Sequence, residues 1–494
     1  MNPPTPASEP ERRLHPMSWL FVLLQQLKQF IVPLAVLLFF GRGDRNELWP
    51  LIGVAVLVVT SLWQYFTYRY GVAGDHLVVR SGLLERSLRV IPFARIHNVA
   101  LQQSMLHRLF GVAEVRLESA GGAKPEAQMR VLKLDDALAL EALVRRRGAS
   151  APADAAVDEP AADTLLTLPM GEVLRLGLVS NRGMIVIGAA FAGSAQFSPK
   201  LIPNLFEAVG MRLFGYAGEH GFGPLEYAAA GLAVVALLVG ALRLLSMLLA
   251  LLQYYGFTLS EQGRRLTVER GLLARWRTSA SRRRIQAWTL REGVLHRLLK
   301  RRSLEVDTAV AEEGQQQRAL RELAPIATPA ECDALIEHLL PRASWSQLAW
   351  LPLSRSSAWR LFLPSVPFVL AATVVLWVKF GAWGLLALLW LPWSAFKAHR
   401  RAQRAAYAVG DQVIAVREGW WTRHWRFAEL DKLQALQLSR SPIDRRCGTA
   451  TLWLDTSGAG ALAPPLRVRF LPEAEARALY ARLSHTLARR PLRW

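Results

Sequence analysis

A 41-residue window, Arg80–Ala120, recurs without a gap at Glu269–Ala309 and, more diverged, at Arg417–Ser457. Gly82, Gly271 and Gly419 align, as do Ile96, Ile285 and Leu433, Val115, Leu304 and Leu452, and Arg108, Arg297 and Arg445. The copies start 189 and 148 residues apart. That is too far for a solenoid period and suits a whole domain plus its connections. The chain is therefore a tandem array of one module, and its function is whatever that module does, done more than once.

Apolar runs come in pairs, one pair before each copy: Leu20–Phe40 with Leu48–Tyr68, Gly183–Phe197 with Tyr227–Gln253, and Trp359–Phe380 with Ala382–Phe396. A bilayer core about 30 Å thick needs about 20 apolar residues per helix, and most runs meet or approach that length. Gln25, Gln26, Lys28 and Gln29 interrupt the first run, so its start reads as interfacial or packed against other helices. It lacks the small-residue cleavage site of a signal peptide. Paired spans return the chain to the side it left, so all three copies lie on one face. The connections inside the pairs carry few cations (Arg42, Arg45, Lys200, Arg212). The flanks carry many, including Arg12, Arg13, Arg69, Lys397, Arg400, Arg401 and Arg404. By the positive-inside rule the termini and all copies are cytoplasmic.

Composition agrees. Hydrophobic residues make up 52% of the 494, and the net charge is +21. A chain both basic and apolar suits an anionic membrane surface better than nucleic acid. Cys332 and Cys447 have no Cys or His at ligand spacing, which argues against a disulfide framework or a metal site and fits a reducing compartment. Tryptophans such as Trp49, Trp63, Trp359, Trp377, Trp383 and Trp390 sit where an interfacial belt would place them.

Within each copy, short alternating runs flank turn signals: Gly74-Asp75, Gly263 and Gly410-Asp411. A further glycine (Gly82, Gly271, Gly419) marks a second tight turn or bulge. Each copy closes with a helical pattern whose first turn is acidic, from Leu134, Thr328 and Leu471. Six or seven strands capped by one C-terminal helix make a small β-sandwich or barrel. The expected fold class is α+β membrane protein, with about six transmembrane helices in three hairpins and three such modules. The expected segments are an N-terminal segment and hairpin 1 over 1–68, module 1 over 69–148 and a flexible linker over 149–168. Hairpin 2 with a long outer loop follows over 169–255, then module 2 over 256–342, hairpin 3 over 343–397 and module 3 over 398–494. The linker Ala151–Thr164 is Ala-, Pro- and Asp-rich and reads as a tether. The loop Ser198–Glu226 has the spacing of a short amphipathic helix on the outer surface, or of a plain loop.

The residues Ile91-Pro92, Arg95-Ile96, Val99, Leu106, Arg108-Leu109-Phe110-Gly111, Ala113 and Val115 resemble the bacterial pleckstrin-homology module of the membrane-flanked type. Copy two keeps Arg284-Ile285, Leu295, Arg297-Leu298 and Thr308-Ala309. Copy three keeps Lys432-Leu433, Gly448, Ala450 and Leu452. Three such modules, each behind a membrane hairpin, resemble the long multi-pass members of that family. The resemblance implies a pleckstrin-homology-like fold on the cytoplasmic face and little chemistry.

Copy two is the most basic: 13 Lys or Arg lie between Arg264 and Arg302 against Glu269 and Glu292. Arg264, Arg265, Arg275, Arg277, Arg282, Arg283, Arg284, Arg301 and Arg302 are the candidate surface for anionic lipid or a protein partner. Arginine pairs with phosphate bidentately, and each juxtamembrane cation is worth about 1 kcal/mol near an anionic leaflet. A solvated positive-inside flank reads the same way. Aromatics are not interleaved for base stacking, so no nucleic acid is expected. Arg108, Arg297 and Arg445 read first as structural cations inside each module. Arg243, inside an apolar run, is either a functional charge or one that snorkels to the surface. P-loop, zinc-protease, nucleophile-elbow and dinucleotide motifs are absent, and the ten histidines are scattered. No catalytic residue, cofactor or metal is expected. The reading is a non-enzymatic membrane scaffold, with protein partners and homo-oligomers both compatible. The alternative is a transport or export component gated by the modules.

Overall fold

Each apolar excursion of the chain begins and ends inside one antiparallel strand pair. The computed structural model describes residues 12–13, 15–24, 49–81, 87–119, 127–148, 163–197, 200–221, 223–308, 321–353, 357–457 and 463–489. Strand β1 (Arg12–Arg13) lies before the first excursion and pairs with β2 (Arg69–Ala73) after it, Arg12 opposite Tyr70. In the same way β8 (Asp163–Thr167) pairs with β9 (Thr258–Gln262), and β15 (Leu351–Pro352) with β16 (Ala406–Val409). The module is therefore a seven-stranded unit whose first strand precedes the membrane segment. Sequence periodicity missed that strand in every copy. It also corrects the linker expected over 149–168: 163–167 is a ladder strand and Leu168 is buried, while 149–162 lie outside the described residues.

Module 1 continues with β3 (His76–Ser81), β4 (Ser87–Pro92), β5 (Ile96–Gln103), β6 (Val112–Ser119) and β7 (Ala127–Lys133). Module 2 has β10 (Arg265–Arg270), β11 (Arg275–Ser281), β12 (Ile285–Glu292), β13 (Arg302–Thr308) and β14 (Glu322–Ala327). Module 3 has β17 (Val413–Glu418), β18 (Arg423–Glu429), β19 (Leu433–Ser439), β20 (Thr449–Thr456) and β21 (Arg467–Pro472). Alternation drives the outer hairpins: Leu266 and Val268 of β10 point inward between half-buried neighbours. Gly74 and Gly263 take φ of 55° and 62° at the expected hairpin turns.

The helices of the excursions are α1 (Trp49–Thr67), α4 (Met170–Val179), α5 (Arg182–Phe197), α6 (Leu201–Glu219), α7 (Pro224–Tyr254), α10 (Ser357–Phe362), α11 (Ser365–Phe380) and α12 (Trp390–Arg404). The modules carry α2 (Met105–Leu109), α3 (Leu134–Gly148), α8 (Val294–Leu298), α9 (Pro329–Leu339), α13 (Pro442–Cys447) and α14 (Glu473–Ala488). Helices α3, α9 and α14 are the expected closing helices. A capping box between Thr328 and Glu331, with Pro329 at the first helical position, starts α9.

Two described stretches are long and apolar enough to cross a membrane, Pro224–Tyr254 and Ser357–Arg404. The pair α4 and α5, bent by 51°, makes a third if it is one span. Their apolar side chains are exposed: Leu232 is 71% accessible, Leu237 73% and Val378 81%. Such a surface is stable in lipid and not in water. In the third excursion Gly381 (φ 59°) ends α11, and a 3-10 segment, Gly381–Leu389, folds back along it. Gly384 lies so close that a Cβ would meet the Trp377 backbone nitrogen at 2.3 Å. The expected turn at Gly381 is where the chain reverses. In the second excursion the loop holds a 19-residue helix, α6, longer than the short helix expected. In the first, α1 coincides with the expected Leu48–Tyr68 run, while 25–48 lie outside the described residues. The start of the Leu20–Phe40 run packs on module 1: Phe21 and Val22 are buried, Phe21 in a cluster with Val112 and Val131 and 4.2 Å from the His107 ring of α2.

The modules are not separate sandwiches. Strand order is β1-β2-β3-β4 in the first sheet and β7-β6-β5-β11-β10-β9-β8 in the second. It is β14-β13-β12-β18-β17-β16-β15 in the third and β19-β20-β21 in the last. The second half of each module and the first half of the next form one seven-stranded sheet. The core of module 2 accordingly includes Ala408, Val413, Ala415 and Phe427 of module 3.

Candidate functional site

Two junctions and two ends define the molecule. At the first junction β11 pairs with β5, Ser279 opposite Val99 and Arg277 opposite Leu101. At the second β18 pairs with β12, Phe427 opposite Trp288 and Trp425 opposite Leu290. In repeat-equivalent positions the two registers are identical. Trp288 and Phe427 stack at 6.1 Å, and Trp345 lies 4.4 Å from Phe427. Behind them Arg426, 2% exposed, pairs with Asp307 across the junction and donates to Thr289 Oγ1 at 2.6 Å. Removing one member of such a buried pair is far costlier than the pair's net worth.

The arginine shared by the repeats belongs to these junctions. Arg108 Nη1 donates to the Leu272 carbonyl of module 2 at 2.9 Å, and Arg297 Nη2 to the Trp421 carbonyl of module 3 at 3.1 Å. Both reach the turn after the second conserved-position glycine of the following module. The expectation of a structural cation is right in kind, but its partner lies in the next copy and not within its own. Arg445, the third, is exposed at the end of the array.

The membrane helices are bolted to the modules by arginine. Arg182, at the start of α5, bonds Tyr254 at the end of α7 and reaches Glu322 of β14 at 3.4 Å. Arg270 of β10 meets the same Glu322 at 2.9 Å. Both guanidiniums cover the Tyr254 ring, at 4.5 and 4.7 Å. Arg360 of α10 pairs with buried Asp444 of α13. Arg243 donates to the Leu178 and Ser180 carbonyls, both at 3.1 Å, and to Asn181 Oδ1 at 3.3 Å. It thus satisfies carbonyls freed at the end of α4, where α4 bends into α5.

The turns beside the helix ends are apolar. Gly271 (φ 115°) and Gly419 (φ 92°) cannot carry a Cβ, which would fall 1.9 and 2.0 Å from the Ala274 and Thr422 carbonyl oxygens. The Gly271 N–H donates to the Tyr255 carbonyl and the Leu272 N–H to that of Leu252, which seats this turn on the end of α7. Leu273 is 40% exposed and Trp421 58%. Leu109 and Leu298, on the short helices that reach these turns, are among the exposed apolars, and Trp420 packs on Trp393 and Phe396 of α12. Leu273, Trp420 and Trp421 were not singled out from the sequence, where the turn registers as a glycine alone, and Leu109 and Leu298 figured there only within the family motif.

The nine arginines of the candidate surface separate into groups. Arg301 forks onto Glu172 at 2.9 and 2.7 Å, and Arg302 lies near Asp333 and over Trp425. Arg275 and Arg277 pair with Glu269, and Arg277 also lies 3.6 Å from Glu141 of α3. These four are mostly occupied in holding elements together. Arg264, Arg265, Arg282, Arg283 and Arg284 do converge: the Arg282 N–H donates to the Arg264 carbonyl, and Arg265 faces Ser281. Within this group Arg282 is tied to Glu261 and to the carbonyls ending α9. Arg264 and Arg283 are exposed. Burial, and then the charge of Arg265, hold the Arg284 guanidinium down to about 10. The group stands at the far end of β9 from α7. A five-residue strand puts about 17 Å between them.

The profile of the family described as bacterial PH domain matches three times, over 22–148, 211–341 and 360–487. The chain belongs to the bacterial PH-domain family. Each match takes in membrane-helix residues as well as strands, so the family unit and the unit read from the strand pairing both include part of the excursion. This bacterial PH-domain chain is similar to UPF0699 transmembrane protein YdbT of Bacillus subtilis (strain 168), at 22% identity over 460 residues. The alignment covers 89% of this chain and 91% of that protein. No solved structure matches.

Proposed function

We propose that the chain is a non-enzymatic scaffold of a bacterial cytoplasmic membrane, with six spans in three hairpins and a rigid row of PH-like modules against the inner leaflet. The observation that carries this is the strand pairing at both ends of every excursion, together with the fusion of neighbouring sheets. Helix ends and modules form one body, with apolar turns (Leu273, Trp421) on the helix side and an arginine cluster at the opposite end. That placement favours an acidic protein partner over lipid headgroups for Arg264, Arg265, Arg283 and Arg284, because the cluster points away from the bilayer. Charge pairing there would steer association and be salt-sensitive. The transport reading gains no support: the groove in the third hairpin is lined by Phe368, Val369, Leu376, Leu386 and Trp390, which offer no polar path.

The test is crosslinking and capture from native membranes with the full chain. Proteins held by the wild type should be lost when Arg264, Arg265, Arg283 and Arg284 are replaced together by Ser, and should elute as salt rises. An unchanged set of captured proteins would overturn the assignment of the cluster.

A further inference from the structure

Two strands that form junctions elsewhere in the array stand at its ends. β4 is the module 1 equivalent of β11 and β18, and it is the edge of its sheet. β19 is the module 3 equivalent of β5 and β12, and it too is an edge. Among the described residues no strand pairs with the outer side of either. We propose that these edges pair with each other between copies of this chain, head to tail, so that the fused array continues from molecule to molecule.

The chemistry of the two edges matches the second junction position by position. Leu88, Arg89 and Val90 occupy the places of Trp425, Arg426 and Phe427. Leu436, Gln437 and Leu438 occupy those of Trp288, Thr289 and Leu290. The register common to both internal junctions sets Leu88 opposite Leu438 and Val90 opposite Leu436, two apolar cross-strand pairs. Leu88 is 57% and Val90 53% exposed, an apolar strand edge of the kind soluble proteins cover or charge. The buried pair also has its counterpart. Asp455, exposed on β20 where Asp307 stands on β13, faces the position that Arg89 would take. Arg445 stands ready at the same end, as Arg108 and Arg297 do at the two formed junctions. Two different complementary edges make a heterologous contact, which closes into a ring or runs on as a filament. Backbone ladder bonds supply affinity and the side-chain pairs supply register. Repetition of one geometry keeps the apolar helices of successive copies on one side.

The experiment uses the full chain in its membranes, with exposed Cys447 changed to Ser and buried Cys332 kept. Val90→Cys together with Leu436→Cys should give, on mild oxidation, a ladder of dimers, trimers and larger species, whereas Val90→Cys with Gln434→Cys, out of register, should not. No ladder from the in-register pair overturns the proposal. Dimers from either single-cysteine protein would mean that an edge pairs with itself, and overturn it as well. A charge test does not depend on one variant's folding. Copies carrying Arg89→Glu and copies carrying Asp455→Arg should each run as monomers in detergent. Mixed, they should associate, because each reversed edge then meets its complement. Failure to associate on mixing counts against the pairing.

Discussion

His424 of β18 shows how a junction can make a single residue sensitive to pH. Burial, followed by the charges of Arg291, Arg469, Arg426 and Arg401, lowers its imidazole from the ordinary value to about 4. The folded protein therefore keeps His424 neutral while the unfolded chain takes up a proton below about 6.5. Stability present above pH 6.5 is lost as pH falls toward 4, by at most about 1.4 kcal/mol per pH unit from this group. Thermal unfolding in detergent should show that decline in the wild type and a shallower one in His424→Gln. Equal slopes would mean that the residue hydrates freely. Nothing in the sequence around His424 announces this, because three of the four arginines, Arg291, Arg401 and Arg469, come from other strands and from α12. Arg108 and Arg297 teach the same lesson. Their recurrence is plain in the repeat, but their acceptors, 164 and 124 residues away, are known only once the junctions are formed.

Among elements, the tight turn at Gly271 links the end of α7 to module 2. Its φ of 115° and the 1.9 Å approach to the Ala274 carbonyl oxygen leave no room for a side chain. Gly271→Ala must open the turn and disturb the bonds to Tyr255 and Leu252. A loss of about 1–3 kcal/mol is expected, from strain in a backbone region that L-residues avoid. Proteolysis of the β10–β11 segment should speed up accordingly, and an unchanged cleavage rate would refute the role of the turn. This element was half legible: the aligned glycines mark a turn, but its seat on α7 depends on where the helix ends. The strands before each excursion were less legible still. At two to five residues they carry too little alternation to register, and their partners lie a whole membrane segment away.

For the molecule as a whole, cutting at module boundaries should be damaging. Module 2 alone, residues 256–342, would lose β8 and expose β11 and β12, with Trp288 stripped of Phe427. Expressed by itself it should aggregate or show a poorly dispersed amide spectrum, whereas a piece retaining both junction partners should be folded. A well-dispersed monomeric spectrum from 256–342 would show that the shared sheets are dispensable.

The repeat, its apolar runs and its alternation were enough to establish three related modules interleaved with membrane segments, since these are local properties of period and length. Which half-module pairs with which was not local. An edge strand's sequence specifies which face is apolar but not whose edge completes the sheet, and that depends on where the excursions return the chain. Tertiary structure decided that the halves are shared between neighbours, that the recurring arginine serves the next copy, and that β4 and β19 are left at the two ends.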